Sequence, residues 1–500
     1  GSSGENHNPT GSSGERKRLG WVVARNKDEA LEKATKQYNT LSKATLCVEQ
    51  DEDVLDTWFS SAFWPFSIMG WPTETDDFKK YFPASILETG SDILFFWVAR
   101  MVMASFAIFD KPPFEKILLH GIVRDANGRK MSKSLGNVVD PIHVIEGVSL
   151  NTLKETVTQT NLKKEEIDTA LDSQEKDFPN GIPRCGTDAL RFALCSYTSG
   201  LKDINLNILR VEGYRKFANK IWNAYKFINM QFENKLTKKT HDYMKDSARS
   251  FYTKYFTNAG SHPDYLKDNI LEKLDQLSIK EKKKSTKSEN TYSSSDSIVI
   301  SDSGVIEWLM LHRNALIQEY TIEMESFNFM VVTQKVHQFI ISIFCDIFIE
   351  ITKKTECVEH LMACLFIFKD ILLLLHPFMP FLTEELFQRM RNLNLFDNLK
   401  HSIVIEEFPT SSERIFVEND FSQAIQVVKA IRSLIDAQNT GKQSDSKKTY
   451  KVIMNKPEIV FFSKQIKTLC KKVETVEYSK IIECDITEKI DDMIFGIVEK

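Results

Sequence analysis

Apolar positions are sparse over the first 50 residues, then fall into recognisable periods. Residues 21–25 have strand character. Ala30, Leu31, Ala34 and Tyr38 recur at helical spacing, and residues 46–49 read as a second strand, so a βαβ-like fragment is expected. Aromatic and small residues dominate 54–150. Within that stretch Leu94, Trp97, Val98 and Met101 form a helical stripe, and the apolar run 117–123, bounded by Lys116 and Arg124, has the pattern of a buried parallel strand.

The polar stretch 154–180 predicts one short helix, and the apolar pattern resumes at Asp188. From Arg210 the period is helical: Val211, Tyr214, Ala218, Ile221, Tyr225 and Ile228 recur at steps of three and four, with Lys216 and Lys220 opposite. Further helices are expected near 305–325, 328–353 and 357–375. Another should begin at Thr383, where Thr-Glu-Glu offers a cap and an acidic first turn. These make a helical bundle. Residues 281–303, with Lys-Lys-Lys-Ser-Thr-Lys and Ser-Ser-Ser-Asp-Ser, are too polar to pack and read as an unstructured insertion. Near the end, Phe421, Ile425, Val428, Ile431 and Ile435 mark a helix. A polar break at 439–448, a strand at 450–454 and a helix near 458–471 follow, which makes a small α/β unit. The last 20 residues complete no nameable element.

Composition narrows this picture without deciding it. Five hundred residues predict several domains, and 42% hydrophobic content fits globular cores. A net charge of −4 neither requires nor excludes a nucleic-acid partner. Eight cysteines without a CxxC pair fit a reducing compartment, so a cytoplasmic location is expected and no metal site is assigned. No secretory leader and no uninterrupted apolar stretch of membrane length stands out, so no membrane partner is expected. The repeated Gly-Ser-Ser-Gly-Glu in residues 1–20 reads as a linker or scar.

The chemistry concentrates at 128–137, Gly-Arg-Lys-Met-Ser-Lys-Ser-Leu-Gly-Asn. Lys130 and Lys133 supply ammonium charges, and Ser132 and Ser134 supply hydroxyl donors. Set among glycines after an apolar run, such groups can close over a polyphosphate and stabilise charge on its leaving oxygens. A pair of lysines alone would more often be a solvated loop.

The pentapeptide Lys-Met-Ser-Lys-Ser is a hallmark of class I aminoacyl-tRNA synthetases, and the surrounding chain resembles the valyl-tRNA synthetases. Other stretches carry the same resemblance: 50–61 (Gln-Asp-Glu-Asp-Val-Leu-Asp-Thr-Trp-Phe-Ser-Ser), 65–72, 87–101 (with Glu-Thr-Gly-Ser-Asp), 181–192, 219–224, and 377–386 (Pro-Phe-Met-Pro-Phe-Leu-Thr-Glu-Glu-Leu). It implies a mixed α/β plus all-α fold. Residues 21–50 would end the inserted connective or editing region, and 51–204 would be the second half of a Rossmann-like catalytic domain. A helical anticodon-binding bundle would occupy 205–410, and a small, truncated α/β region 411–500.

The implied activity is ATP-dependent activation of valine, with Mg2+ accompanying ATP, followed by transfer to tRNA(Val). There is room for a larger translation-factor or synthetase assembly. By motif position Lys133 would stabilise departing pyrophosphate with Lys130 assisting, while Ser132 and Ser134 bind ATP phosphates. Gly90 and Asp92 would hold the adenosine, and Trp58 and Trp97 would wall the amino-acid pocket. Arg215, Lys216 and Lys220 would contact tRNA phosphates. Plainer readings stand beside these: Asp92 as an N-cap of the helix that follows, the tryptophans as core, the basic residues as a solvated helix face. His120 reads as a packed core histidine and Cys185 as an inert thiol.

The family's other hallmark, His-x-Gly-His, is absent from this sequence, as is most of the editing insertion. The chain is therefore expected to be the back half of such an enzyme, nearly inactive in valine activation by itself. The alternatives are a truncated, non-catalytic tRNA-binding relative and a sister synthetase for isoleucine or leucine.

Overall fold

The computed structural model describes residues 19–38, 46–132, 135, 137–159, 162–198, 202–235, 241–257, 295–355, 357–396, 399–412, 414–417, 419–439, 450–454, 463–479, 486–490 and 493–499. The chain divides into two compact units, residues 1–118 and 119–500.

The first unit opens with the helix Lys27–Gln37. The Asn26 side chain accepts from the Glu29 amide, and the Glu29 carboxylate accepts in return from the Arg25 amide, both at 2.9 Å. Two amides that the helix itself leaves unpaired are thus satisfied. The expected βαβ fragment does not form. Neither 21–25 nor 46–49 is a strand, because a strand needs a neighbouring ladder and the described residues supply none there.

Further along, the strand Ala84–Gly90 leads through the tight turn Ser91–Ile93, wide π-type turns over Leu94–Ala99 and the α-helix Arg100–Phe109 to the strand Phe114–His120. The two strands pair with each other. Val98, Met101 and Phe114 form a small buried core with Leu87 and Trp97 packed on it, so that three of the four stripe residues face it while Leu94 is exposed. A second apolar cluster joins the rings of Phe63, Phe66, Trp71, Phe78, Phe82 and Phe109. The run 117–123 is not the buried strand its sequence implies: the strand ends at His120 and Ile117 is exposed. Gly121 breaks it. A Cβ there would stand 1.9 Å from the Lys202 carbonyl oxygen, so this close approach admits only glycine. His120 is half-buried, its Nδ1 2.9 Å from the Gly121 carbonyl, and is not a core histidine.

Residues 91–109 are long and apolar enough, by length and composition, to cross a bilayer, contrary to the reading of the sequence. Arg100 stands exposed at mid-helix, where a bilayer would charge about 2.5–3.5 kcal/mol for it, and the inner stripe packs on the strands.

The second unit begins with the two-residue strand Val123–Arg124, paired in parallel with Ile204–Asn205. Two helices, Leu150–Thr158 and Lys164–Asp177, occupy the stretch expected to hold one. Val144, Leu153, Ile182, Ala189, Ala193 and Val211 share a core with the helix Thr187–Tyr197. The Cys185 thiol is buried and burial pushes its pKa up, as an inert thiol requires.

The bundle follows in Ile208–Lys235, His241–Phe256, Ser295–Glu325, a continuous helix from Phe329 to Thr352 with π-type turns at Phe339–Ile349, Val358–Leu375 and Pro380–Arg391. Of the expected insertion, 281–294 lie outside the described residues, whereas 295–303 belong to the helix Ser295–Glu325. The last bundle helix starts at Pro380 rather than at Thr383. Proline suits the first helical position, and Thr383 is wholly buried, with its hydroxyl on the Met379 carbonyl and 2.7 Å from His376 Nδ1. Capping comes instead from a distant helix: the Asp188 carboxylate accepts from the amides of Phe381 (3.4 Å) and Leu382 (2.6 Å).

The C-terminal part holds the helix Asp420–Asn439, the short helix Ser463–Leu469 and a four-stranded sheet in the order Val473–Tyr478, Tyr450–Met454, Met493–Glu499, Ile486–Ile490. The last 20 residues therefore do form elements. Their hairpin finds its register by pairing with Tyr450–Met454, far away in sequence.

Candidate functional site

The phosphate-loop candidate grows out of a tight turn. Asp125 to Arg129 reverse the chain, with Gly128 at φ +76° and its amide on the Asp125 carbonyl, so that Arg124 and Lys130 face one another in an antiparallel bridge. Inside this turn the buried Asp125 carboxylate accepts on one oxygen from the amides of Asn127 (3.0 Å) and Arg129 (2.7 Å). Its other oxygen accepts from Arg129 Nε (2.6 Å) and Asn137 Nδ2 (2.9 Å). Burial alone would raise this carboxyl; the bonds from Asn137 and from the Arg129 amide and guanidinium outweigh it and hold the group below the usual carboxylate range.

Asn137 is itself buried. Its Nδ2 also donates to the Lys130 carbonyl (3.2 Å), and its Oδ1 accepts from the Ser132 amide (2.9 Å). Arg129 reaches on to Asp177 at 3.0 Å, and Arg124 pairs with Asp203. Lys130 is exposed at the mouth of this turn and Ser132 is half-buried. Lys133 and Ser134 lie outside the described residues. Asp125 and Asp177 have no place in the sequence expectation, and Arg129 and Asn137 stand in the stretch 128–137 without an assigned role. Asp-Ala-Asn-Gly at 125–128 is a legible turn signal, but a buried carboxamide twelve positions downstream leaves none.

In the first unit, Asp56 caps the short helix Thr57–Ser61 through the Trp58 amide (2.7 Å). Trp58 stacks on Phe96 with ring centres 5.9 Å apart, and Trp97 Nε1 donates to the Ser61 carbonyl (3.2 Å). Both tryptophans are half-buried, and the hydrogen bond fixes one beside the helix that carries the other. Gly90 is buried at the end of its strand, and Asp92 lies exposed in the turn that follows. Asp92 is not a helix cap: Ile93 holds that position, without a side-chain bond.

On the helix Ile208–Lys235, Arg215 and Lys216 are exposed. Lys216 lies 3.4 Å from Glu212, while Lys220 pairs with Asp346 at 2.7 Å and ties this helix to the helix from Phe329 to Thr352. Val211, Ile221, Tyr225 and Ile228 are buried on the opposite side. Among the described residues no group of three or more His, Cys, Asp or Glu is placed to hold a metal ion.

Comparison with known proteins follows the same division. Residues 10–207 match the family model of class I tRNA synthetases (I, L, M and V), and 307–451 match that of the anticodon-binding domain of tRNA ligases. A protein of Vairimorpha ceranae named "Probable valine--tRNA ligase, cytoplasmic" is 41% identical over 425 residues, which is 85% of this chain and 41% of that one. The valine–tRNA ligases of Schizosaccharomyces pombe and Caenorhabditis elegans are each 37% identical, over 91% and 83% of this chain and 41% and 35% of theirs. The chain thus spans about two-fifths of the length of the curated relatives it matches. Likeness at this level, over most of the chain, leaves the isoleucine and leucine alternatives without support: residues 10–207 match the class I tRNA synthetases, and the chain as a whole is similar to valine–tRNA ligases.

Proposed function

We propose that this chain is part of a cytoplasmic valine–tRNA ligase, which joins valine to ATP as valyl-adenylate with release of pyrophosphate and passes the acyl group to a terminal ribose hydroxyl of tRNA(Val). One observation carries the reading. The same 37–41% identity to valine–tRNA ligases extends over a lysine- and serine-bearing phosphate motif and a helical bundle with a basic face.

In this reading residues 51–204 are the second half of the catalytic domain, 205–410 bind the anticodon region, and 411–500 form the small α/β unit. Residues 21–50 end the connective region. Lys133 and Lys130 offset charge on the departing pyrophosphate, acting as point charges and not as bases. Ser132 and Ser134 donate to phosphate oxygens, and Asp92 accepts from ribose hydroxyls beside the backbone at Gly90. Trp58 and Trp97 bound a pocket for a short branched side chain. Arg215, Lys216 and Lys220 meet RNA phosphates, which positions the tRNA without reading its bases. Mg2+ enters with the phosphates of ATP.

The test is valine-dependent exchange of pyrophosphate into ATP, with tRNA(Val) binding measured on the same preparation. From this chain alone exchange is expected to be slight beside tRNA binding, and whatever exchange it supports should fall by about 10²–10³ on Lys133→Ala with tRNA binding unchanged. Exchange driven by isoleucine or leucine instead of valine overturns the reading, as does the loss of both activities in the unaltered chain. Binding of tRNA(Val) without exchange would confine the chain to the docking part of the ligase.

A further inference from the structure

The Lys130–Ser132 segment is held by groups that the phosphate chemistry does not itself use. We infer that Asn137 and Asp125 are positioning residues: together they fix the backbone of residues 130–132 so that Lys130 is presented to phosphate in one conformation. This rests on the phosphate reading given above.

The argument is one of geometry. The carboxamide of Asn137 spans Met131, taking the carbonyl of the residue before it and the amide of the residue after it. No other side-chain chemistry of that size donates and accepts at once from one planar group; a carboxylate can only accept, and a hydroxyl cannot reach both. The carboxamide is held in turn by Asp125, whose carboxylate takes its Nδ2 while also closing the turn through the Arg129 amide and guanidinium. Both residues are buried, at 2% and 6% exposure, so water cannot replace these bonds without opening the turn. Arg129 is committed to Asp125 and Asp177 and Arg124 to Asp203. Lys130, by contrast, is exposed at the mouth. A long flexible ammonium side chain loses less freedom on meeting phosphate when its backbone is already fixed.

Asn137→Asp is the diagnostic change, because it keeps shape and removes the donor. It sets two carboxylates in contact, with Arg129, Asp177 and Lys130 as the charged groups around them. Such a pair cannot stay fully ionised, so it gathers a proton as pH falls and partly regains the lost bond. The first measurement needs no variant: the Ser132 amide of the full chain should exchange its hydrogen at least about tenfold more slowly than an open amide. In Asn137→Asp at pH 7 that protection should drop about tenfold, and binding of inorganic pyrophosphate, measured by calorimetry, should weaken in parallel. Both should recover toward pH 5, while a residue that merely supports the fold would give no such recovery.

Ser132 exchanging at the open rate in the unaltered chain overturns the inference, whatever the variant does. So does a variant that binds pyrophosphate as tightly as the unaltered chain. Protection of Ser132 in an unaltered chain that binds no pyrophosphate would instead count against the phosphate reading, and the inferred purpose of the clamp would fall with it.

Discussion

Two helical stretches of nearly equal length and similar apolar character meet opposite fates. In Val358–Leu375, 15 of 18 residues are buried; in residues 91–109 the side chains of Phe95 and Met103 are 73% and 71% exposed. Composition does not separate them. The first is surrounded by Ile208–Lys235, His241–Phe256, Ser295–Glu325, Phe329–Gln338 and Pro380–Arg391, whereas the second meets two strands, the short helix Thr57–Ser61 and, at Phe109, the aromatic cluster of Phe66, Trp71, Phe78 and Phe82. An apolar helix carries a capacity to bury surface, and the number of neighbouring elements decides how much of it is realised.

Deleting a ring from each helix tests that contrast most severely. Phe368→Ala removes a fully buried ring and should cost the bundle about 3–5 kcal/mol in urea unfolding, while Phe95→Ala should stay within about 0.5 kcal/mol. Comparable losses at the two sites would sink the distinction.

A smaller effect belongs to a polar anchor of the exposed helix, Trp97. Trp97→Phe keeps most of the ring's packing but removes the donor to the Ser61 carbonyl, and should destabilise the first unit by about 1 kcal/mol. An unchanged unfolding midpoint would mean that water replaces the bond at no cost.

The gentlest probe is pH. Burial depresses the His376 imidazole below its ordinary 6.5, despite Glu384 and Asp188 nearby, and burial with the Lys220 charge does the same to His337. The unfolded chain therefore takes up these protons first as pH falls through 6.5, so bundle stability should decline from about pH 7 to pH 5. Asp188, pushed up chiefly by burial from 3.8, contributes with the opposite sign at lower pH. His376→Gln should flatten part of the decline; a slope indifferent to that change would place the dependence elsewhere.

These contrasts also separate what could be read in the sequence from what could not. The bundle helices and the stripe at Val98 and Met101 were legible because a helix repeats every 3.6 residues within its own segment. The Lys130–Ser134 motif is readable as a sequence because its five residues are consecutive. The strand assignment at 117–123 failed in two places: Gly121 meets Lys202, 81 positions away, and Ile117 is left exposed. The cap at Thr383 failed because Asp188, 194 positions from Leu382, takes the amide instead.

Helix periodicity and the likeness to valine–tRNA ligases were therefore readable in the sequence itself, the first because it repeats within one segment, the second because it accumulates over 425 aligned residues. Tertiary structure alone decided that Asn137 holds Lys130 and Ser132, that Asp188 caps a helix it does not belong to, and that the final hairpin joins the strand at Tyr450–Met454. A side-chain hydrogen bond or a strand pairing depends on which distant segments the fold brings within about 3 Å, and no local pattern encodes that distance.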